Sequence, residues 1–144
     1  DASRPIIGAQ ATGIAQGALD LALGQVSQRK QFGHTIADFQ GIQWMLVENE
    51  IDLRQAKWMV LDAAAKADRG EPFRTESAIA KLVASEASGR VVDRSMQIHG
   101  GLGVAKDLPL ERWYRELRIR RIGEGPSEVQ KHVIARDILG AGLR

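Results

Sequence analysis

The chain predicts an all-α fold, an up-down four-helix bundle. Apolar residues recur at three- and four-residue spacing over long stretches. Clusters of Gly and Pro separate those stretches, and no segment reads as an alternating strand. Aromatic residues make up only 5% of the chain, while Ala and Gly are plentiful. That suits closely packed helices better than a sheet, which favours aromatic and β-branched side chains. The 144 residues fit one domain, residues 1–144, of a size that buries about 70% of the unfolded surface.

The first helix is expected over 5–31. Pro5 suits its first position, and Ile7, Ala11, Ile14, Ala18 and Leu21 form its apolar stripe. Gly8, Gly13 and Gly17 within it suggest close approach by another helix or a ligand, since Gly weakens a helix by up to about 1 kcal/mol relative to Ala. The second helix is expected over 38–69. Its stripe runs through Phe39, Ile42, Met45, Leu46, Asn49, Leu53 and Ala56, widened by Trp44, Ile51 and Trp58. Gly70 and then Pro72 stop it. Thr75 can cap a third helix over 75–99, with Ile79, Leu82, Val83, Ala87 and Val91 inward. Pro109 opens a short helix over 109–118. The last is expected over 124–139, its regular part starting at Glu128 with Ser127 as cap and Gly140 closing it.

A net charge of only +2 argues against a nucleic-acid footprint, which needs clustered basic residues with interleaved aromatics. Arg112, Arg115, Arg118, Arg120 and Arg121 read as a solvated helix face or as the rim of an anionic-ligand site. With no cysteine there is no disulfide, thiolate nucleophile or Cys-based metal site, as suits a reducing compartment. No metal site and no membrane span are expected. The chain begins at Asp1, without Met or a signal sequence, and reads as a piece of something longer or a processed chain.

The informative residues sit in three breaks between helices. In Arg29-Lys30-Gln31-Phe32-Gly33, a guanidinium can hold a phosphate bidentately and a Phe can lie against a ring; a helix end with cations and a Gly cap is the plainer reading. In Gln97-Ile98-His99-Gly100-Gly101, paired glycines let backbone N–H groups approach an anion or a ribose, or simply cap a helix, with His99 a satisfied histidine. In Gly123-Glu124-Gly125-Pro126-Ser127-Glu128, a Gly-flanked carboxylate can serve as a general base or merely favour the following helix N-terminus. Glu128, on the first helical turn, reads as a capping or dipole partner.

Together, in order and spacing, these breaks and the opening Asp1-x-x-Arg4-Pro5 resemble the C-terminal helical domain of acyl-CoA dehydrogenases. That family carries R-x-x-F-G, then Q-x-x-G-G, then E-G-[TP]-S before the last helix. The resemblance implies a parent enzyme with an N-terminal helical domain, a middle β-domain and this bundle. It implies FAD held between domains and subunits of a homodimer or homotetramer. Arg29, Gln31 and Phe32 match residues contacting a neighbouring subunit's FAD, as do Gln97, Ile98, His99, Gly100 and Gly101. Phe39 and Gln40 match further flavin contacts, and Pro126 and Glu128 fall on the flavin side as well. Glu124 matches the catalytic base, Gly125 the thioester pocket, and Asp1 and Arg4 the acyl-CoA cleft.

The activity implied is α,β-dehydrogenation of an acyl-CoA to a trans-2-enoyl-CoA, with electron-transfer flavoprotein as acceptor. The setting implied is the bacterial cytoplasm, or alternatively a mitochondrial matrix. Gly123 stands where the family often has Tyr, and Pro126 where it often has Thr. Some branches place the base at the position of Ser3, which cannot serve. An acyl-CoA oxidase and a non-catalytic helical oligomerisation module are the alternative readings; related flavin monooxygenases generally lack the glutamate.

Overall fold

The computed structural model describes residues 2–140, so Asp1 lies outside the described residues. Helix α1 runs Ser3–Gln28, α2 Gln40–Asp68, α3 Arg74–His99, α4 Gly101–Val104, α5 Leu110–Arg120 and α6 Ser127–Leu139. The all-α bundle expected from the periodicity is what forms.

Helix α3 is its centre, packed most extensively against α1 and α2 and also against α5 and α6. This position explains its sequence. Packed from several sides, it buries small residues around much of its circumference: Ser77, Ala78, Ala84, Ser85, Ala87, Ser88, Val91, Val92 and Ser95. Ile79, Leu82 and Val83, expected inward, are only half-buried, because the closest helix approaches leave no room for them. The partner seam on α1 is likewise small: Ala11, Ala15, Ala18 and Ala22 are fully buried. A Cβ on Gly8 would stand 2.9 Å from Val60 Cγ2 and 3.3 Å from the Ala80 carbonyl, so this glycine sets the α1–α2–α3 spacing.

Polar groups also join α2 to α3. Asp52, nearly buried, accepts from Arg90 Nε at 3.1 Å and Nη2 at 2.5 Å and from Arg94 Nη1 at 2.7 Å. Burial alone would raise the pKa of this carboxyl, but the hydrogen bonds and charges of Arg90 and Arg94 outweigh it and hold the pKa below its ordinary value.

Several boundaries differ from expectation. Helix α1 starts at Ser3, so Pro5 is its third residue, still within the turn whose N–H groups have no helical partner. It ends at Gln28 rather than 31, because Lys30–Gln31 and His34–Thr35 pair as a short antiparallel hairpin (β1 and β2). A 3₁₀ turn over Ile36–Asp38 then leads into α2. Neither Thr75 nor Ser127 caps a helix: each lies inside the first turn, after Phe73 and Pro126. Helix α3 ends at His99 as expected, and a short helix α4 over Gly101–Val104 follows directly beyond Gly100. A Cβ on Gly103 would sit 2.4 Å from the Met96 carbonyl, so only glycine lets α4 fold back on α3.

Gly70 behaves as expected. At φ +69 it donates to Ala67 O while Glu71 donates to Lys66 O, the paired bonds of a Schellman cap. Trp44, Ile51 and Trp58 do not widen the buried stripe. With Val47 and Leu61 they form a second, exposed stripe at three-, four- and seven-residue intervals on the far side of α2. Among the described residues, no helix is long and apolar enough to cross a membrane.

Candidate active site

The residues singled out in the sequence gather into two constellations. The first lies at the C-terminal end of α3. Arg29 and Gln31 from the hairpin, Ile36 and Ile42 beside it, and Gln97, Ile98, His99, Gly100, Gly101 and Leu102 line one cleft of about 420 Å³. Two breaks 68 residues apart in the chain (97 − 29) thus form one site. Arg29 makes no ion pair among the described residues. A Cβ on Gly100 or Gly101 would meet nothing within 4 Å, so both backbones lie open to a ligand. His99 is a satisfied histidine: its Nδ1 donates to the Ser95 carbonyl at 2.7 Å. Ile98 is buried in the core with Ala22, Val26 and Ile36. A guanidinium, an amide and open glycine backbone over an apolar floor suit the phosphate and ribose portion of a dinucleotide.

The hairpin tip gives a further signal. Phe32 and Gly33 form its two-residue loop, with φ of 51° and 82°. Positive φ at both positions is the type I′ pattern, normally filled by Asn-Gly. A phenylalanine there is strained, and it is 89% exposed; its one aromatic neighbour is Phe39, edge-on with centroids 6.3 Å apart. Phe39 is otherwise half-buried at the entry to α2, and Gln40 is exposed as the first residue of that helix. Neither of the two lines the cleft.

The second constellation surrounds Glu124. The last helix begins at Ser127 rather than 124, leaving Glu124 in the loop at φ +56, followed by Gly125 at φ +89. Among the described residues only Phe32 and Glu124 are non-glycine residues at positive φ, and each sits in one of the three breaks. Strained backbone of this kind concentrates at functional sites. Glu124 is exposed and makes no hydrogen bond or ion pair among the described residues. Pro126 precedes α6, and Glu128 is exposed on its first turn.

Beneath the loop lies Lys81, which sequence reasoning missed. It is fully buried on α3, and its Nζ donates to Gly125 O at 2.7 Å. Burial pushes its pKa down; Glu86, Glu124 and Glu128 act to raise it, and Arg4 acts with burial. Arg4 itself stands in the first turn of α1. The available signal was a lysine on the α3 face whose neighbours in helical register, Ser77, Ala84, Ser85 and Ser88, are small. Gln130, also missed, is fully buried and donates from Nε2 to the same carbonyl at 2.9 Å.

The arginine run is mostly occupied: Arg112, Arg115 and Arg121 pair with Glu116, Glu111 and Glu86, and Arg120 bonds Gln10. Arg118 lines a groove of about 500 Å³ between α3 and α5, alongside Arg90, Arg94, Arg121, Glu86 and Asp93.

The bundle thus presents an open cleft lined by a guanidinium and glycine backbone at one end of α3 and a strained, Gly-flanked carboxylate on the loop before α6. The model of the acyl-CoA dehydrogenase C-terminal domain matches residues 1–139, and the chain belongs to that family. It is 48% identical over 139 residues to the acryloyl-CoA reductase (NADH) of Anaerotignum propionicum, covering 96% of this chain and 35% of that protein. Identity to a probable acyl-CoA dehydrogenase of Bacillus subtilis is 46%, covering 96% and 37%. The butyryl-CoA dehydrogenase of Megasphaera elsdenii superposes with a TM-score of 0.92 at 39% identity, covering 94% of this chain and 36% of that one. The chain thus spans little more than a third of these relatives' length.

Proposed function

We propose that this chain is one domain of a larger FAD-dependent acyl-CoA dehydrogenase and carries its catalytic base, Glu124. The observation that carries the reading is the carboxylate held at φ +56 between glycines, exposed and unpartnered among the described residues. A general base must reach the proton it removes without competing bonds. Glu124 would take the proton from the α-carbon of the thioester as a hydride leaves the β-carbon, giving a trans-2-enoyl-CoA. FAD, when bound, supplies the hydride acceptor. Gly125 gives the thioester room beside the base, and Arg4 would meet the anionic part of the CoA, while Asp1 would contribute to the acyl-CoA cleft.

The cleft fits part of the cofactor. Arg29 and the open Gly100 and Gly101 backbones suit the diphosphate, and Gln31 and Gln97 offer further polar contacts. Phe32, Phe39 and Gln40 at the hairpin, and Pro126 and Glu128 beside the base, complete the proposed flavin contacts. The two constellations are about 27 Å apart along α3, from the 1.5 Å rise over the 18 residues between Lys81 and His99. One cofactor cannot easily use both ends of one chain, which supports a homo-oligomer in which each chain serves its own flavin at Glu124 and a neighbour's at Arg29. The exposed stripe of α2 supports association as well, and sedimentation showing only monomer at tens of micromolar would count against it. Electron-transfer flavoprotein as acceptor and a bacterial cytoplasmic setting complete the proposal, the second resting on bacterial relatives.

The similarity to a reductase favours a second reading of direction. Protonated, the same carboxyl would deliver the α-proton during enoyl-CoA reduction.

Glu124→Gln in the full-length parent tests the base. Gln keeps the shape but accepts no proton at neutral pH. Flavin should stay bound, while bleaching on mixing with butyryl-, octanoyl- or palmitoyl-CoA should slow by about 10²–10⁴-fold. Bleaching at the wild-type rate would refute the assignment.

A further inference from the structure

The loop that carries Glu124 is tied to α3 at both ends and at its apex. Arg121, where it leaves α5, pairs with Glu86 at 2.8 Å. Ser127, where it enters α6, donates to the other oxygen of the same carboxylate at 2.6 Å. Between them, the Gly125 carbonyl receives Lys81 Nζ and Gln130 Nε2. Glu124 has no bond of its own among the described residues, so its position is set entirely by the backbone on either side. A Cβ on Gly125 would stand 2.5 Å from Gln130 Nε2; the glycine and the bond it accepts depend on each other.

From this geometry we propose that Lys81 is the positioning residue for Glu124: with Gln130 it pins the Gly125 carbonyl and so fixes where the neighbouring carboxylate stands. The proposal rests on the reading of Glu124 as the base. A core position needs no lysine. An apolar side chain of similar length fills the volume without desolvating a charge, and such replacements are often neutral or stabilising. What the ammonium adds is a directional donor aimed at one carbonyl. Burial pushes its pKa down while the carboxylates of Glu86, Glu124 and Glu128 oppose that shift, so the lysine draws on the charge it helps to place. The α3 helix is the most enclosed element of the bundle, and a tether anchored on it passes little motion to the loop.

The test is Lys81→Met in the flavin-loaded, full-length parent, with Glu124→Gln alongside and butyryl-, octanoyl- and palmitoyl-CoA as probes. Lys81→Met should keep its flavin, hold KM within about twofold and melt at or above the wild-type temperature. Its kcat and flavin-bleaching rate should fall about 10- to 100-fold, the scale of a misplacement of about 1 Å. A purely structural lysine would instead lower the melting temperature and flavin content together and leave kcat per bound flavin unchanged; that result overturns the proposal. Full activity in Lys81→Met with an inactive Glu124→Gln removes the positioning role alone. Full activity in Glu124→Gln removes the base reading itself. If Lys81→Met does not load flavin, Gln130→Leu loosens the same carbonyl from the other side and must lower kcat at unchanged KM. Wild-type kcat there, or failure of both variants to load flavin, overturns the proposal.

Discussion

Asp52→Asn isolates the polar junction between α2 and α3. The substitution keeps the side-chain shape, so it opens no cavity. It removes the charge that receives three hydrogen bonds from Arg90 and Arg94. Breaking a fully buried pair costs about 3–5 kcal/mol. Here the Asp52 side chain is only 10% exposed, but those of Arg90 and Arg94 are 49% and 21% exposed. Water compensates part of the loss and Asn can still accept one bond, so about 2 kcal/mol is expected at pH 7. With a urea slope of about 2 kcal/mol/M, the unfolding midpoint drops by about 1 M.

The pH dependence has a definite sign. The folded pKa of Asp52 lies below its ordinary 3.8, so its contribution is fully present above that value. It is lost as pH falls through the folded pKa. Urea titrations of wild type and variant at pH 7 and pH 3 should therefore show a gap that narrows with acid. A midpoint shift under about 0.2 M at pH 7, or a gap constant across pH, would refute the account.

Gly103→Ala should lower stability by about 2 kcal/mol through collision with Met96. By differential scanning calorimetry that is about 7 °C in Tm at this length. Gly13→Ala meets nothing within 4 Å and should raise stability by up to about 1 kcal/mol; destabilisation would mean α1 is approached more closely there. Phe32→Asn restores the favoured residue of a type I′ turn and should stabilise the hairpin by about 1 kcal/mol. In the parent enzyme it should also weaken flavin retention, measured by ultrafiltration.

Helices bounded by strong punctuation were legible: Gly70 and Pro72 end α2 because a Schellman cap needs a left-handed residue there. The Arg29–Phe32 hairpin was not, since two-residue strands are too short to show a period and Phe-Gly is not a usual hairpin turn. Size misled on α2, whose apolar residues occupy two faces; a sequence pattern does not say which one its neighbours cover. On α3 the reverse held, as close packing buried serine, alanine and one lysine while pushing Ile79 and Leu82 to the flanks. Glu124 could be picked out because glycines surround it. Its support could not, because Lys81 and Gln130 lie 44 residues before and five residues after the carbonyl they share.

The outward stripe of α2 carries Trp44 and Trp58, two of the three tryptophans in the chain. The third, Trp113, is half-buried and lies against α1, where its ring would be 3.1 Å from a Cβ on Gly17. Intrinsic fluorescence is therefore weighted toward one side of one helix. Two water-facing indoles should emit at long wavelength over the steadier signal of Trp113, and covering the stripe should shift that emission to the blue. The protein thus contains its own optical gauge of α2, readable against concentration or partner without a label.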